Sequence, residues 1–103
     1  QALLNRLFAP AELEYCRPRK QTASCLAARF AAKEAFVKAL GTGLRDGICW
    51  TEIEVVNGLL GKPFLKLSGR ALQFFSERGS TTAHLSLSHD GGHAVAQVIL
   101  EAP

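Results

Sequence analysis

Apolar residues recur at helical spacing over residues 2–8, and Pro10 then suits the first turn of a second short helix with Glu12 and Glu14 near its positive end. Arg17-Pro18-Arg19-Lys20 breaks that helix and leaves a basic loop. A long helix follows. Thr22 or Ser24 is placed to cap it, Ala, Leu, Glu and Lys favour it throughout, and Gly41 and Gly43 stop it after Leu40. Its buried stripe reads as Leu26, Phe30, Val37 and Leu40. Beyond a loop the period shortens to two: residues 50–56 alternate as a strand, 57–63 turn, and 64–67 form a second strand. A short helix over 70–78 ends at Gly79, and residues 82–88 and 94–100 make a hairpin around Asp90-Gly91-Gly92. Helices first and strands after, without strict βαβ alternation, predict an α+β fold in which the long helix packs on a small antiparallel sheet.

Size and composition narrow the setting. A chain of 103 residues allows a single domain over 1–103. Hydrophobic residues make up 48% and charged ones 20%, a rich apolar load for so small a core, so part of that surface is expected between subunits. Trp50, Phe64, Phe74 and Phe75 are assigned to the core or to such an interface. The net charge of +3 is too small to mark a nucleic-acid binder and suits a protein that handles phosphates or docks an acidic partner. No basic stripe with interleaved aromatics supports a nucleic-acid domain. No run is apolar enough to span a bilayer and no signal peptide opens the chain. Cys16, Cys25 and Cys49 form an odd set without CxxC spacing, which predicts no disulfide scaffold, no structural zinc site and a reducing cytoplasm. Gln1 is not an initiator, and residues upstream are expected to be missing from this chain.

The richest chemistry lies on the long helix, in Arg29-Phe30-Ala31-Ala32-Lys33-Glu34-Ala35-Phe36-Val37-Lys38-Ala39. Phe30, Glu34 and Lys38 fall at i, i+4 and i+8, so a carboxylate and an amine border the apolar stripe. The pair reads as an ordinary i,i+4 ion pair, worth about 0.3–0.5 kcal/mol. It also reads as a hard oxygen ligand for Mg²⁺ beside a lysine that neutralises phosphate or moves a proton. Spacing does not choose between them.

The residues themselves add more. This helix, followed by Gly41-Thr42-Gly43, closely resembles the signature helix of the acyl-carrier-protein synthase group of phosphopantetheinyl transferases: an aromatic, two small residues, Lys-Glu, a small residue, two variable residues and Lys. Gly61-Lys62-Pro63 and then His84-Leu85-Ser86-Leu87-Ser88-His89 follow in the family's order, and the likeness covers nearly the whole chain.

That resemblance implies a 4′-phosphopantetheinyl transferase-like fold. It implies Mg²⁺-dependent transfer of 4′-phosphopantetheine from coenzyme A to a serine of an apo-acyl carrier protein, in fatty acid biosynthesis. Glu34 would bind Mg²⁺, Lys38 would lie beside the pyrophosphate and the reacting centre, and Arg29 and Lys33 would lie near coenzyme A. Gly61, Lys62 and Pro63 would border the nucleotide, His89 would sit near its phosphates, and either His89 or Asp90 would assist proton transfer. Relatives of this size form homotrimers with active sites between subunits. The family also opens with a strand bearing Gly-apolar-Asp, whose Asp is a second Mg²⁺ ligand. No Asp precedes Asp46 in this chain, so the metal site as written is half-built. A relative that binds coenzyme A or the carrier without catalysis is the alternative. Without the resemblance, His89 and the Arg17-Arg19-Lys20 loop read as solvated, His84 as a structural histidine, and His93 as exposed.

Overall fold

A computed structural model describes residues 2–44, 47–90 and 92–103. Three helices lead: α1 (Ala2–Leu7), α2 (Pro10–Cys16) and α3 (Thr22–Leu40). A 3-10 turn over Trp50–Glu52 precedes β1 (Ile53–Asn57). A second one over Leu59–Gly61 joins it to β2 (Pro63–Leu67). Then come α4 (Gly69–Glu77), β3 (Thr82–Asp90) and β4 (His93–Glu101). The class is α+β, as the pattern predicts, and α3 packs along β4 and across β1.

The strands form two antiparallel ladders instead of one continuous sheet: β1 with β2, from Ile53 opposite Leu67 to Asn57 opposite Pro63, and β3 with β4, from Thr82 opposite Glu101 to Asp90 opposite His93. Residues 50–52, expected as strand, coil into the 3-10 turn because the Glu52 carboxylate accepts from the Cys49 N–H and from Ala71 at the start of α4. That double contact pins the entry to β1 against α4.

The end of α3 is as predicted. Gly41 takes a left-handed φ of 85° and returns its N–H to Val37 and Lys38 carbonyls. Its start is not. Gln21 occupies the cap position without a side-chain bond, and the Thr22 hydroxyl donates backward to the Arg17 and Arg19 carbonyls. Thr22 therefore closes the basic loop and leaves the first N–H groups of α3 without a side-chain cap.

Phe36, Val37 and Leu40 of α3 meet Ile48, Ile53, Ala71 and Phe75 in the core, with Trp50, Phe74, Leu65 and Val98 packed around them. Val37 and Leu40 belong to the predicted stripe. Leu26 and Phe30 are only half-buried, whereas Phe36, Arg29 and Lys33 are buried. The buried stripe differs from the predicted one because it contains Arg29 and Lys33, charged residues that hydrophobic periodicity assigns to solvent. Phe64 is exposed, since alternation along β2 turns Pro63, Leu65 and Leu67 inward.

Cys16 and Cys25 are joined, contrary to the expectation of no disulfide. The Pro18 turn folds α2 back onto α3 and brings the two sulfurs together across nine positions, which counting cysteines could not reveal. Replacing Cys16 with Ser should lower stability by about 2–3 kcal/mol, the chain entropy released by opening so short a loop. The measurement is the urea midpoint, which should fall. A midpoint that ignores both the substitution and added reductant would contradict the bond.

Candidate active site

Three segments converge on Glu12. Its carboxylate takes the Ala9 N–H at 2.9 Å, the Val55 N–H at 2.9 Å and the Lys33 ammonium at 2.7 Å. Lys33 also donates to the Trp50 carbonyl at 3.0 Å. Neither side chain has exposed surface. Lys33, expected near the coenzyme phosphates, is thus sealed inside the fold, locking α3 to α2 and to the entry of β1. Burial pulls its pKa below the ordinary lysine value, and the hydrogen bond and charge of Glu12 oppose that pull.

Arg29 lies one turn before Lys33 and is 4% exposed. Its guanidinium donates to Asn57 Oδ1 and to Cys25 Sγ and stacks 4.2 Å from the Tyr15 ring centroid. Nε has no hydrogen-bond partner among the described residues. Burial lowers its pKa, while Glu12 and Tyr15 raise it. Among the described residues the ion pairs are Lys33–Glu12 and His84–Glu101, so Glu12 is committed to Lys33 and Arg29 keeps an unpaired charge. A buried, unpaired cation favours an anionic ligand.

Arg29 lines a cleft of about 300 Å³ with Tyr15, Arg19, Asn57, Pro63 and His89. Arg19 stacks on the same Tyr15 ring, 3.4 Å from its centroid. Two adjoining hollows share His89. One, about 210 Å³, is walled by Ala23, Ser24 and Ala27; the other, about 380 Å³, by Gln21, Ser24 and Cys25. These residues form the N-terminal cap position and first turns of α3, where backbone N–H groups and the positive end of the helix favour phosphate. The structure therefore brings Arg29, Pro63 and His89 together. Gly61 and Lys62 lie beside them on the exposed turn, and the Gly61 carbonyl accepts from Asn57 Nδ2 at 2.9 Å. The side chain of Asp90 lies outside the described residues.

Glu34 and Lys38 do not line these hollows. Both are exposed, which corrects their placement beside the apolar stripe, and they do not pair with each other. Their side of α3 still runs into the hollow walled by Ala23 and Ala27: Ala23, Ala27, Glu34 and Lys38 fall at i, i+4, i+11 and i+15, along one stripe. Glu34 stands two turns from Ala27, a rise of about 10 Å. Small alanines keep that stripe open to a long ligand. Among the described residues no group of three His, Cys, Asp or Glu gathers for a metal. A single unpaired carboxylate fits an ion that borrows its remaining oxygens from phosphate and water, as Mg²⁺ does.

Sequence reasoning missed Tyr15, Asn57 and Glu12. An Asn at the last residue before a Gly-rich turn was one available signal; the other two act through contacts distant in sequence.

A long signature helix over two antiparallel ladders, with a cationic cleft at its start, defines a class that family comparison confirms. Residues 1–98 match the model of the 4′-phosphopantetheinyl transferase superfamily, and the chain belongs to that family. It is 89% identical to the holo-acyl-carrier-protein synthase of Trichlorobacter lovleyi, over all of this chain and 82% of that protein. It is 59% identical to the synthase of Geobacter sp., over 97% of this chain and 80% of the relative. The crystal structure of the Neisseria meningitidis synthase superposes with a TM-score of 0.88 at 35% identity, covering 98% of this chain and 81% of that one. The Bacillus anthracis synthase, solved in complex with coenzyme A (3′,5′-ADP), gives a TM-score of 0.80 at 36% identity, covering 99% and 82%.

Proposed function

We propose that this chain transfers 4′-phosphopantetheine from coenzyme A to a serine of apo-acyl carrier protein, releasing adenosine 3′,5′-bisphosphate, as a step serving fatty acid biosynthesis. The observation that carries this reading is the α3 stripe. It runs from the Ala23–Ala27 hollow, which shares His89 with the cleft of the buried Arg29, to a carboxylate and an amine that form no ion pair among the described residues. Relatives at 89% and 59% identity are holo-acyl-carrier-protein synthases, and relatives have been solved with coenzyme A.

Serine Oγ forms a bond to the β-phosphorus of coenzyme A, the bond from that phosphorus to the bridging oxygen breaks, and 3′,5′-ADP leaves with the electron pair. The serine proton passes to a base, a role assigned to His89 or Asp90. Arg29, with Lys62 and the first turn of α3, would hold the nucleotide phosphates. Lys38 would offset charge on the diphosphate. Glu34 would hold Mg²⁺, which when bound supplies further positive charge to phosphate oxygens. Proteins that catalyse phosphoryl transfer work mainly by positioning and charge stabilisation, and these side chains supply both.

The assembly we assign is a homotrimer with active sites between subunits. Its support is the outer face of β4, where Val95 and Ile99 are 54% and 56% exposed, and the slim alanines of α3. The compartment we assign is the cytoplasm, whose reducing poise would act on the Cys16–Cys25 bond. No helix of the described residues is long and apolar enough to cross a membrane.

The direct test is the intact mass of apo-acyl carrier protein incubated with this protein, coenzyme A and Mg²⁺. The carrier should gain one phosphopantetheine, and a chelator should prevent it. Tight binding of coenzyme A with no mass gain would overturn the catalytic reading and leave a binding relative.

A further inference from the structure

Arg29 and the Gly61-Lys62-Pro63 turn stand on different elements, yet both must be fixed for the cleft to keep its shape. One side chain spans them. Asn57, the last residue of β1, accepts from the Arg29 guanidinium through Oδ1 and donates from Nδ2 to the Gly61 carbonyl at 2.9 Å. The remaining turn bonds are local, Gly58 N–H to the Lys62 carbonyl and Gly61 N–H to the Gly58 carbonyl. Pro63, opposite Asn57 in the ladder, has no N–H with which to tie the turn further. A short planar amide is the side chain that offers an acceptor and a donor in one plane. Asp lacks the donor, and Leu lacks both.

We infer that Asn57 is a positioning residue for coenzyme A: it aims the Arg29 guanidinium into the cleft and holds the Gly61-Lys62-Pro63 wall at the spacing the nucleotide requires. This rests on the proposed transferase reading. Asn57 acts through Arg29 and the turn and takes no part in the chemical step. Its loss should therefore weaken binding of the donor and spare turnover and carrier binding.

The experiment compares wild type, Asn57→Ala, Arg29→Ala and the double variant for KM and kcat with coenzyme A, alongside binding of 3′,5′-ADP. Asn57→Ala should raise the coenzyme A KM on the order of tenfold, as expected for one hydrogen bond to a charged group. It should leave kcat within about twofold and the carrier KM unchanged. The double variant should lose less than the sum of the two single losses, because part of the effect of Asn57 passes through Arg29. Additive losses, or an unchanged KM in Asn57→Ala, would overturn the inference while the transferase reading stands. Wild type that fails to bind coenzyme A would sink both. A spectroscopic arm covers poor folding of the alanine variant. Asn57→Asp keeps the acceptor, so the Arg29 side-chain N–H signals should stay in slow exchange with solvent. In Asn57→Leu they should exchange away. Equal exchange in the two variants would also overturn the inference.

Discussion

Glu34→Gln is expected to lower kcat for phosphopantetheine transfer by about 10²–10³-fold, the usual scale for removing a charge that stabilises a phosphoryl transition state. Its melting temperature should hardly move. Glu34 is exposed and makes no ion pair among the described residues, so the fold does not depend on its charge. Gln keeps the shape and one oxygen but loses the negative charge that makes a good Mg²⁺ ligand. The loss should therefore grow at low Mg²⁺, and a titration of rate against Mg²⁺ in both proteins reads it. Rates within twofold of wild type across that titration would remove Glu34 from the site. Lys38 is equally exposed and lies one turn further on, so it can offset diphosphate charge without affecting stability.

The largest effect on stability is expected inside the fold. Glu12→Ala leaves the Lys33 ammonium buried without its carboxylate and strips the acceptor from two backbone N–H groups. Breaking one partner of a buried ion pair costs about 3–5 kcal/mol, which in a domain this size lowers the melting temperature by on the order of 20 °C. Lys33→Met should cost less than Glu12→Ala, because Glu12 retains its two backbone donors. Stability should also respond to pH. Burial sets the Lys33 pKa below its ordinary value of 10.5 in the folded state. Between that lowered value and 10.5, the unfolded chain binds a proton that the folded chain has released. The Lys33 contribution therefore rises with pH through this window and opposes folding most below it. Comparing urea midpoints of wild type and Lys33→Met across that alkaline range checks the sign: the rise should be flatter in the variant. A steeper rise in the variant would refute the burial argument.

These two residues explain how far the sequence could be read. Helix ends and strand order followed from Gly41, Pro10 and the change of period near residue 50, all local signals. The signature segment identified Glu34, Lys38 and the Arg29 region by likeness. Which face of α3 goes inside was not legible, because hydrophobicity assigns Lys33 and Arg29 to water. Only the approach of Glu12 from α2 and Asn57 from β1 makes their burial tolerable. The disulfide was hidden for a similar reason, since the pairing depends on how the Pro18 turn folds the chain back. The exposure of Glu34 and Lys38 follows from the same rotation of the helix: turning Lys33 inward turns its neighbour out.

The bond between Cys16 and Cys25 encloses the exposed stretch that carries Arg17, Arg19 and Lys20. A protease that severed the backbone after Arg19 or Lys20 would not release α1 and α2. The severed piece would stay leashed to α3 through sulfur, and Tyr15 and Glu12 would remain close to their partners. Damage at this exposed cationic segment is thereby made survivable until the leash is reduced.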